Sequence, residues 1–145
     1  MKLKIFLISL LLVISACSTS PTGRKQFILV SDSQLSQLGA QSFEQLKDER
    51  RISTDSTKNN YVQCVSRHIT NVVGGTWEVV VFDDDSANAF ALPGGKIGVH
   101  TGLLEVAENQ HQLAAVIGHE VGHVLASHGG ERVSQQVGAS AVYKF

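Results

Sequence analysis

The sequence predicts an α+β domain, in which helices carry a small β-sheet or hairpin set beside one apolar helix. Three observations predict it. Apolar residues form a loose helical stripe within residues 31–47 and recur at three- and four-residue steps within 57–73. The pattern then changes to β-branched and aromatic residues over 76–82, followed by two short strands around Pro93-Gly94-Gly95. The apolar stretch 113–126 contains two histidines four residues apart, the spacing that puts both on one helix face. With 145 residues and 43% hydrophobic composition the chain can bury a core, so disorder is not expected, and neither is a collagen, coiled-coil or multi-span membrane architecture. Twelve Lys and Arg against 13 Asp and Glu leave a net charge of −1, with no basic face to neutralise phosphates, so no nucleic-acid partner is expected.

The chain opens on the basic Met1-Lys2-Leu3-Lys4, an apolar run over 5–14, and then Ser15-Ala16-Cys17. A basic head, a short apolar run and small residues before a cut are secretory-signal anatomy. The run is too short to span a bilayer, which takes about 20 apolar residues. Ile14-Ser15-Ala16-Cys17 resembles a bacterial lipobox. That resemblance implies a signal peptide over 1–16, a lipidated Cys17 as the first mature residue, and tethering through buried acyl chains. The plain alternative is an ordinary secretory cut beside an incidental cysteine. Ser18 at the next position, by the same resemblance, implies sorting to the outer membrane, facing the periplasm. Residues 17–30, polar and rich in turn formers, read as a linker from lipid to domain. Cys64 then has no internal disulfide partner in the mature chain. A reactive or intermolecular thiol is one reading; a buried small apolar residue on a helix face is the expectation.

Within the domain, assigned to 31–145, Ser31 and Gln34 form a candidate capping box. Leu35, Leu38, Phe43 and Leu46 continue a helical stripe to about Lys47. A second helix is expected over 57–73, with Tyr61, Val65, Ile69 and Val72 inward and Gly74-Gly75 as its stop. A strand follows over 76–82. The Asp83-Asp84-Asp85 run lacks the spaced ligands of a calcium loop and reads as a solvated turn. Strands over 88–92 and 96–100 flank the Pro93-Gly94-Gly95 turn, which has no phosphate-loop pattern after it. A short helix begins at Thr101, and Asn109 with Gln112 caps the next.

That last helix contains His119-Glu120-Val121-Gly122-His123. Residues four apart on a helix lie one turn apart on the same face, so both imidazoles can reach one Zn²⁺ at about 2.0–2.1 Å. Glu120 lies about 100° round, placed to act on water at the metal rather than to ligate it. Ala114, Ala115, Gly118 and Gly122 are small enough to let neighbours approach, and the helix is so apolar that unpaired polar groups buried in it would be costly. A third ligand is harder to find. A metzincin extension would need Gly and His where Ala126 and Gly129 stand. His128 lies about 140° from His123 on a continuing helix and so is expected to point away, capping or packing near a break at Gly129-Gly130. Glu131 would lie about 12 Å along the same helix. His68, His100 and His111 have no partner spacing and read as ordinary polar residues.

The run from Asn88-Ala89-Phe90-Ala91-Leu92-Pro93-Gly94-Gly95 through Lys96-Ile97-Gly98-Val99-His100-Thr101-Gly102-Leu103-Leu104, followed by the His-Glu-x-x-His, resembles the zinc metallopeptidase family of CAAX prenyl proteases and bacterial HtpX. Pro21-Thr22-Gly23-Arg24-Lys25-Gln26 is similar to the Oma-type and periplasmic lipoprotein branch. The likeness covers about residues 61–139. It implies a zincin-like (gluzincin) fold, one Zn²⁺ held by His119 and His123, Glu120 as general base, polypeptide substrates, and candidate partners among envelope-assembly proteins. The family's third ligand is a Glu in a later Glu-x-x-x-Ala-Asp motif. No such motif occurs before Phe145, so the expectation is a metallopeptidase domain incomplete at its C-terminus, or an incomplete zinc site. The resemblance also makes one hairpin strand, 88–92 or 96–100, a candidate edge for binding an extended substrate by strand addition. The function expected is a lipid-anchored envelope metalloendopeptidase degrading misfolded or envelope proteins. The alternatives are a non-catalytic chaperone or binding module on the same fold, and an inactive fragment.

Overall fold

Ser31 starts the first long helix as expected. Its side chain accepts from the Gln34 backbone N–H, and Gln34 Oε1 accepts from the Ser31 N–H at 3.0 Å, which satisfies two of the donors a helix start leaves open. The computed structural model describes residues 17–20, 23 and 25–142. The expected signal residues 1–16 lie outside the described residues. In chain order the elements are β1 (Cys17–Thr19), β2 (Lys25–Phe27), α1 (Asp32–Glu49), α2 (Ser56–Val73), β3 (Glu78–Phe82), β4 (Ala89–Leu92), β5 (Lys96–His100), α3 (Thr101–Val106), α4 (Gln110–Leu125) and α5 (His128–Val142). This is the α+β composition the sequence predicts. No helix among the described residues is long and apolar enough to cross a membrane.

The three-stranded sheet has the order β3-β5-β4. β3 runs parallel to β5, pairing Glu78 with Lys96 through Phe82 with His100. β4 is antiparallel to β5, pairing Ala89 with Val99 through Leu92 with Lys96. The central strand is therefore β5, buried from Ile97 to His100, and β4 is an edge. Of the two candidate substrate edges, 96–100 is excluded: both of its sides are already paired. Helix α4 packs on β4 and on α2. Its inward line is Leu113, Ile117 and Val121, spaced four apart and meeting Val62 and Val65 of α2 and Val81, Ile97 and Val99 of the sheet. Phe43, Phe82 and Phe90 form a second, aromatic group under α1, with Phe43 edge-on to Phe82 at 6.2 Å. Glu78 ties α1 to the sheet, accepting from Lys47 at 2.8 Å and from Lys96 at 2.6 Å.

Several side chains sit elsewhere than expected. Cys64 is exposed, not buried. The inward residues of α2 are Val62, Val65 and Ser66, and Cys64 is two positions from both Val62 and Ser66, which turns it about 200° away. The same phase leaves Val72 87% exposed, and on α1 Leu38 is half exposed while Gly39 is buried. Residues 17–30, expected as a linker, contain the antiparallel β1–β2 pair, and the Gln26 side chain is buried.

His100, read from the sequence as an ordinary polar residue, is 2% exposed at the end of β5. Its Nδ1 lies 2.7 Å from Ser86 Oγ, and Ser86 donates to Asp84 Oδ1 at 2.6 Å. Arg50 Nη1 stands 3.3 Å from its Nε2. Burial pushes the His100 pKa below the ordinary 6.5, Asp84 partly opposes that shift, and Arg50 reinforces it. The unfolded chain therefore binds the proton more readily than the folded one. His100 contributes stability that is present above pH 6.5 and lost as pH falls through its lowered pKa. Urea midpoints measured from pH 7.5 down to 5 are expected to fall more steeply for the wild type than for His100→Gln; equal slopes would refute this assignment.

Candidate metal centre

The inward line of α4 decides where its histidines go. His119 and His123 are each two residues beyond a core position, Ile117 and Val121, and so face about 200° away from the core. Both are exposed, and Glu120 between them is half-buried. The apolar character of the helix therefore does not bury the motif, contrary to expectation, because the apolar residues and the histidines occupy different faces. Gly118 and Gly122 share the open side; a Cβ on either would meet nothing within 4 Å among the described residues.

His119 Nε2 and His123 Nε2 stand 3.0 Å apart. Two imidazole nitrogens on one tetrahedral metal at about 2.05 Å would be about 3.3 Å apart, so the pair needs a shift of only a few tenths of an ångström to share an ion. The donor set, two imidazoles, suits a divalent transition metal. Among the described residues, no group of three or more His, Cys, Asp or Glu side chains is arranged to hold a metal.

The structure places His128 differently from the expectation. The helix does not continue past Leu125. The Ala126 N–H closes α4 on Gly122 O at 2.9 Å, and Ser127 takes a left-handed backbone, φ 54°. The Ser127 carbonyl then accepts from Glu131 N at 3.1 Å and opens α5. The break thus falls two residues before Gly129-Gly130, and the rotation computed for a straight helix no longer applies. His128 returns beside the motif, half-buried, with Nδ1 2.6 Å from His123 Nδ1. Glu131, likewise displaced from the straight-helix position, lines the same cavity as Glu120 and His123.

This cavity, about 890 Å³, is lined by Glu120, His123 and His128 and by Leu92 and Pro93 at the end of β4. The α4–α5 turn, which contributes Ser127 and His128 to the lining, is pinned from the N-terminal segment. Buried Gln26 donates from Nε2 to Ala126 O at 2.8 Å, and Leu29 N–H donates to Ser134 Oγ at 2.8 Å. Neither Gln26 nor Ser134 stood out in the sequence, because a hydrogen bond across 100 or more residues leaves no local pattern. Cys17, the expected lipidation site, is the first residue of β1, its backbone paired with Phe27.

The family model described as Peptidase family M48 matches residues 56–145. The chain is 36% identical over 94 residues to "Mitochondrial metalloendopeptidase OMA1" of Arabidopsis thaliana, covering 65% of this chain and 19% of that protein. It is 34% identical over 114 residues to "Metalloendopeptidase OMA1, mitochondrial" of Danio rerio, covering 72% and 24% respectively. It is 28% identical over 95 residues to "Beta-barrel assembly-enhancing protease" of Escherichia coli, covering 63% and 20%. The chain thus spans about a fifth to a quarter of the length of these curated relatives.

Proposed function

The chain belongs to peptidase family M48, and we propose that it carries the active-site part of a zinc-dependent metalloendopeptidase, zincin-like in fold, acting on polypeptides in the bacterial cell envelope. The observation that carries the reading is the 3.0 Å approach of His119 Nε2 and His123 Nε2, in a helix whose intervening Glu120 lines a cavity walled by an edge strand. Family membership implies a metal cofactor and peptide-bond hydrolysis; the two-imidazole donor set supports zinc.

His119 and His123 would hold the ion through Nε2. A zinc ion held there would supply water activation, bringing the pKa of a water toward about 7. Glu120, one position round the helix, takes the proton from the attacking water and delivers it to the departing amine, so one carboxylate serves as base and then as acid. The edge strand β4 offers unpaired main-chain groups to an extended substrate, which aligns the scissile bond along the cavity. Cys17 as a lipidated first residue would place the domain at the periplasmic face of the outer membrane. Similarity to a protease named for β-barrel assembly supports that setting and makes envelope-assembly proteins candidate partners.

Zinc content and casein cleavage, measured on the full gene product, test the centre. His119→Ala and His123→Ala are each expected to lose the metal and the cleavage together; a variant that keeps its zinc overturns the ligand assignment. Cell fractionation tests the anchor. Cys17→Ala is expected to leave the membrane fraction or to stall as an unprocessed form, and a variant that matures and fractionates like wild type refutes lipidation.

A further inference from the structure

We propose that His128 is a positioning residue for the metal centre, holding the His123 imidazole in the tautomer that presents its Nε2 lone pair toward His119. The proposal rests on the metallopeptidase reading above. The two ring nitrogens of His123 face different partners: Nε2 is 3.0 Å from His119 Nε2, and Nδ1 is 2.6 Å from His128 Nδ1. A neutral imidazole carries one proton, and a nitrogen that ligates a metal must present its lone pair. With Nε2 committed to the ion, the proton sits on Nδ1 and needs an acceptor. His128 Nδ1 is that acceptor, which puts the His128 proton on its own Nε2.

Ligating histidines generally donate their other N–H to such a partner, which fixes ring orientation and makes the ligand more basic. Here the partner is a second imidazole. His128 does not take the place of a third ligand in this arrangement, since it meets His123 on the nitrogen opposite to the one that faces His119. The two rings are tilted by 53° with centroids 4.9 Å apart, an approach through nitrogens rather than a stack. The backbone sets this up. The left-handed Ser127 turns the chain back one residue before His128, and the Gln26 bond to Ala126 O holds that turn from outside. A side chain fixed by a pinned turn loses little freedom when the metal arrives.

The test is zinc affinity by competition with a chromophoric chelator, on the full gene product, beside thermal unfolding of the metal-free protein and nitrogen NMR of the His123 ring. His128→Ala is expected to weaken zinc binding about 10–100-fold and to leave His123 a mixture of tautomers. His128→Asn, whose Oδ1 can accept the same proton, is expected to recover most of the affinity and the Nδ1–H tautomer. Metal-free unfolding should change little in either variant. A His128→Ala protein that binds zinc as tightly as wild type overturns this proposal alone, whereas a wild type that binds no zinc overturns the metallopeptidase reading with it. An Asn variant as weak as Ala overturns the hydrogen-bond role. If Ala unfolds the metal-free protein, the His123 tautomer in the wild-type and Asn proteins decides, and a His123 found as Nε2–H in the wild type refutes the proposal.

Discussion

Glu120→Gln is expected to keep its zinc and to lower kcat by about 10²–10⁴-fold, the range over which a positioned general base accelerates a proton transfer. The two parts of the expectation come from different geometry. Metal retention follows from the donors: His119 Nε2 and His123 Nε2 converge on each other, while Glu120 lies about 100° round the helix from His119. Rate loss follows from chemistry, because an amide is nearly isosteric with a carboxylate but accepts no proton at neutral pH. Zinc content beside kcat for casein cleavage separates the two. Full activity in Glu120→Gln would sink the general-base assignment, and loss of zinc would make Glu120 a ligand.

Gly39→Ala is expected to lower stability by about 1–3 kcal/mol or more, as overpacking a closed contact does. A Cβ at Gly39 would run into the Pro93 carbonyl, and on the other side of the same contact a Cβ at Gly94 would lie 2.8 Å from Ser36 O. Helix α1 and the β4–β5 turn thus meet backbone to backbone, and a rigid carbonyl cannot swing aside as a side-chain tip can. Relief must come from moving the Pro93 turn, which walls the cavity, so cleavage should fall along with the thermal midpoint. Gly118→Ala is the matched control. Its Cβ would meet nothing within 4 Å, and alanine favours a helix interior by about 1 kcal/mol over glycine, so stability should rise. A Gly39→Ala protein as stable as wild type would mean that α1 does not lie where the structure puts it.

Elements whose ends carry their own chemistry were legible from the sequence. Ser31 with Gln34, Asn109, and Gly74 with its φ of 75° cap their helices as read, because caps are local hydrogen bonds and backbone preferences. The Pro93-Gly94-Gly95 hairpin was legible for the same reason: Gly94 and Gly95 take the positive φ values that the turn requires. Side-chain phase was less secure. A stripe drawn through Tyr61, Val65, Ile69 and Val72 missed Val62 and Ser66, which are buried, and included Val72, which is not. Apolar residues on two adjacent faces of a helix allow more than one stripe, and only the packed neighbours choose between them.

By itself, the sequence determined the α+β class, the order of the elements from α1 to α4, and the one-turn spacing that puts His119 and His123 on a common face. These depend on interactions within a few residues, where helical and extended periodicity leave few alternatives. Only the tertiary structure decided which of the two hairpin strands is an edge, that His100 is buried at the end of β5 beside Ser86, Asp84 and Arg50, and that His128 comes back to His123. Each of these depends on partners distant in sequence or on one backbone turn. Among the described residues the order β3-β5-β4 leaves β4 unpaired on one side, and a single left-handed residue, Ser127, redirects everything after it. A helical wheel carried through residue 128 assumes the turn away. The physical reason is that a dihedral change of one residue costs about 1–3 kcal/mol, which contacts such as the Gln26–Ala126 bond and the docking of α5 can offset only once the fold has assembled.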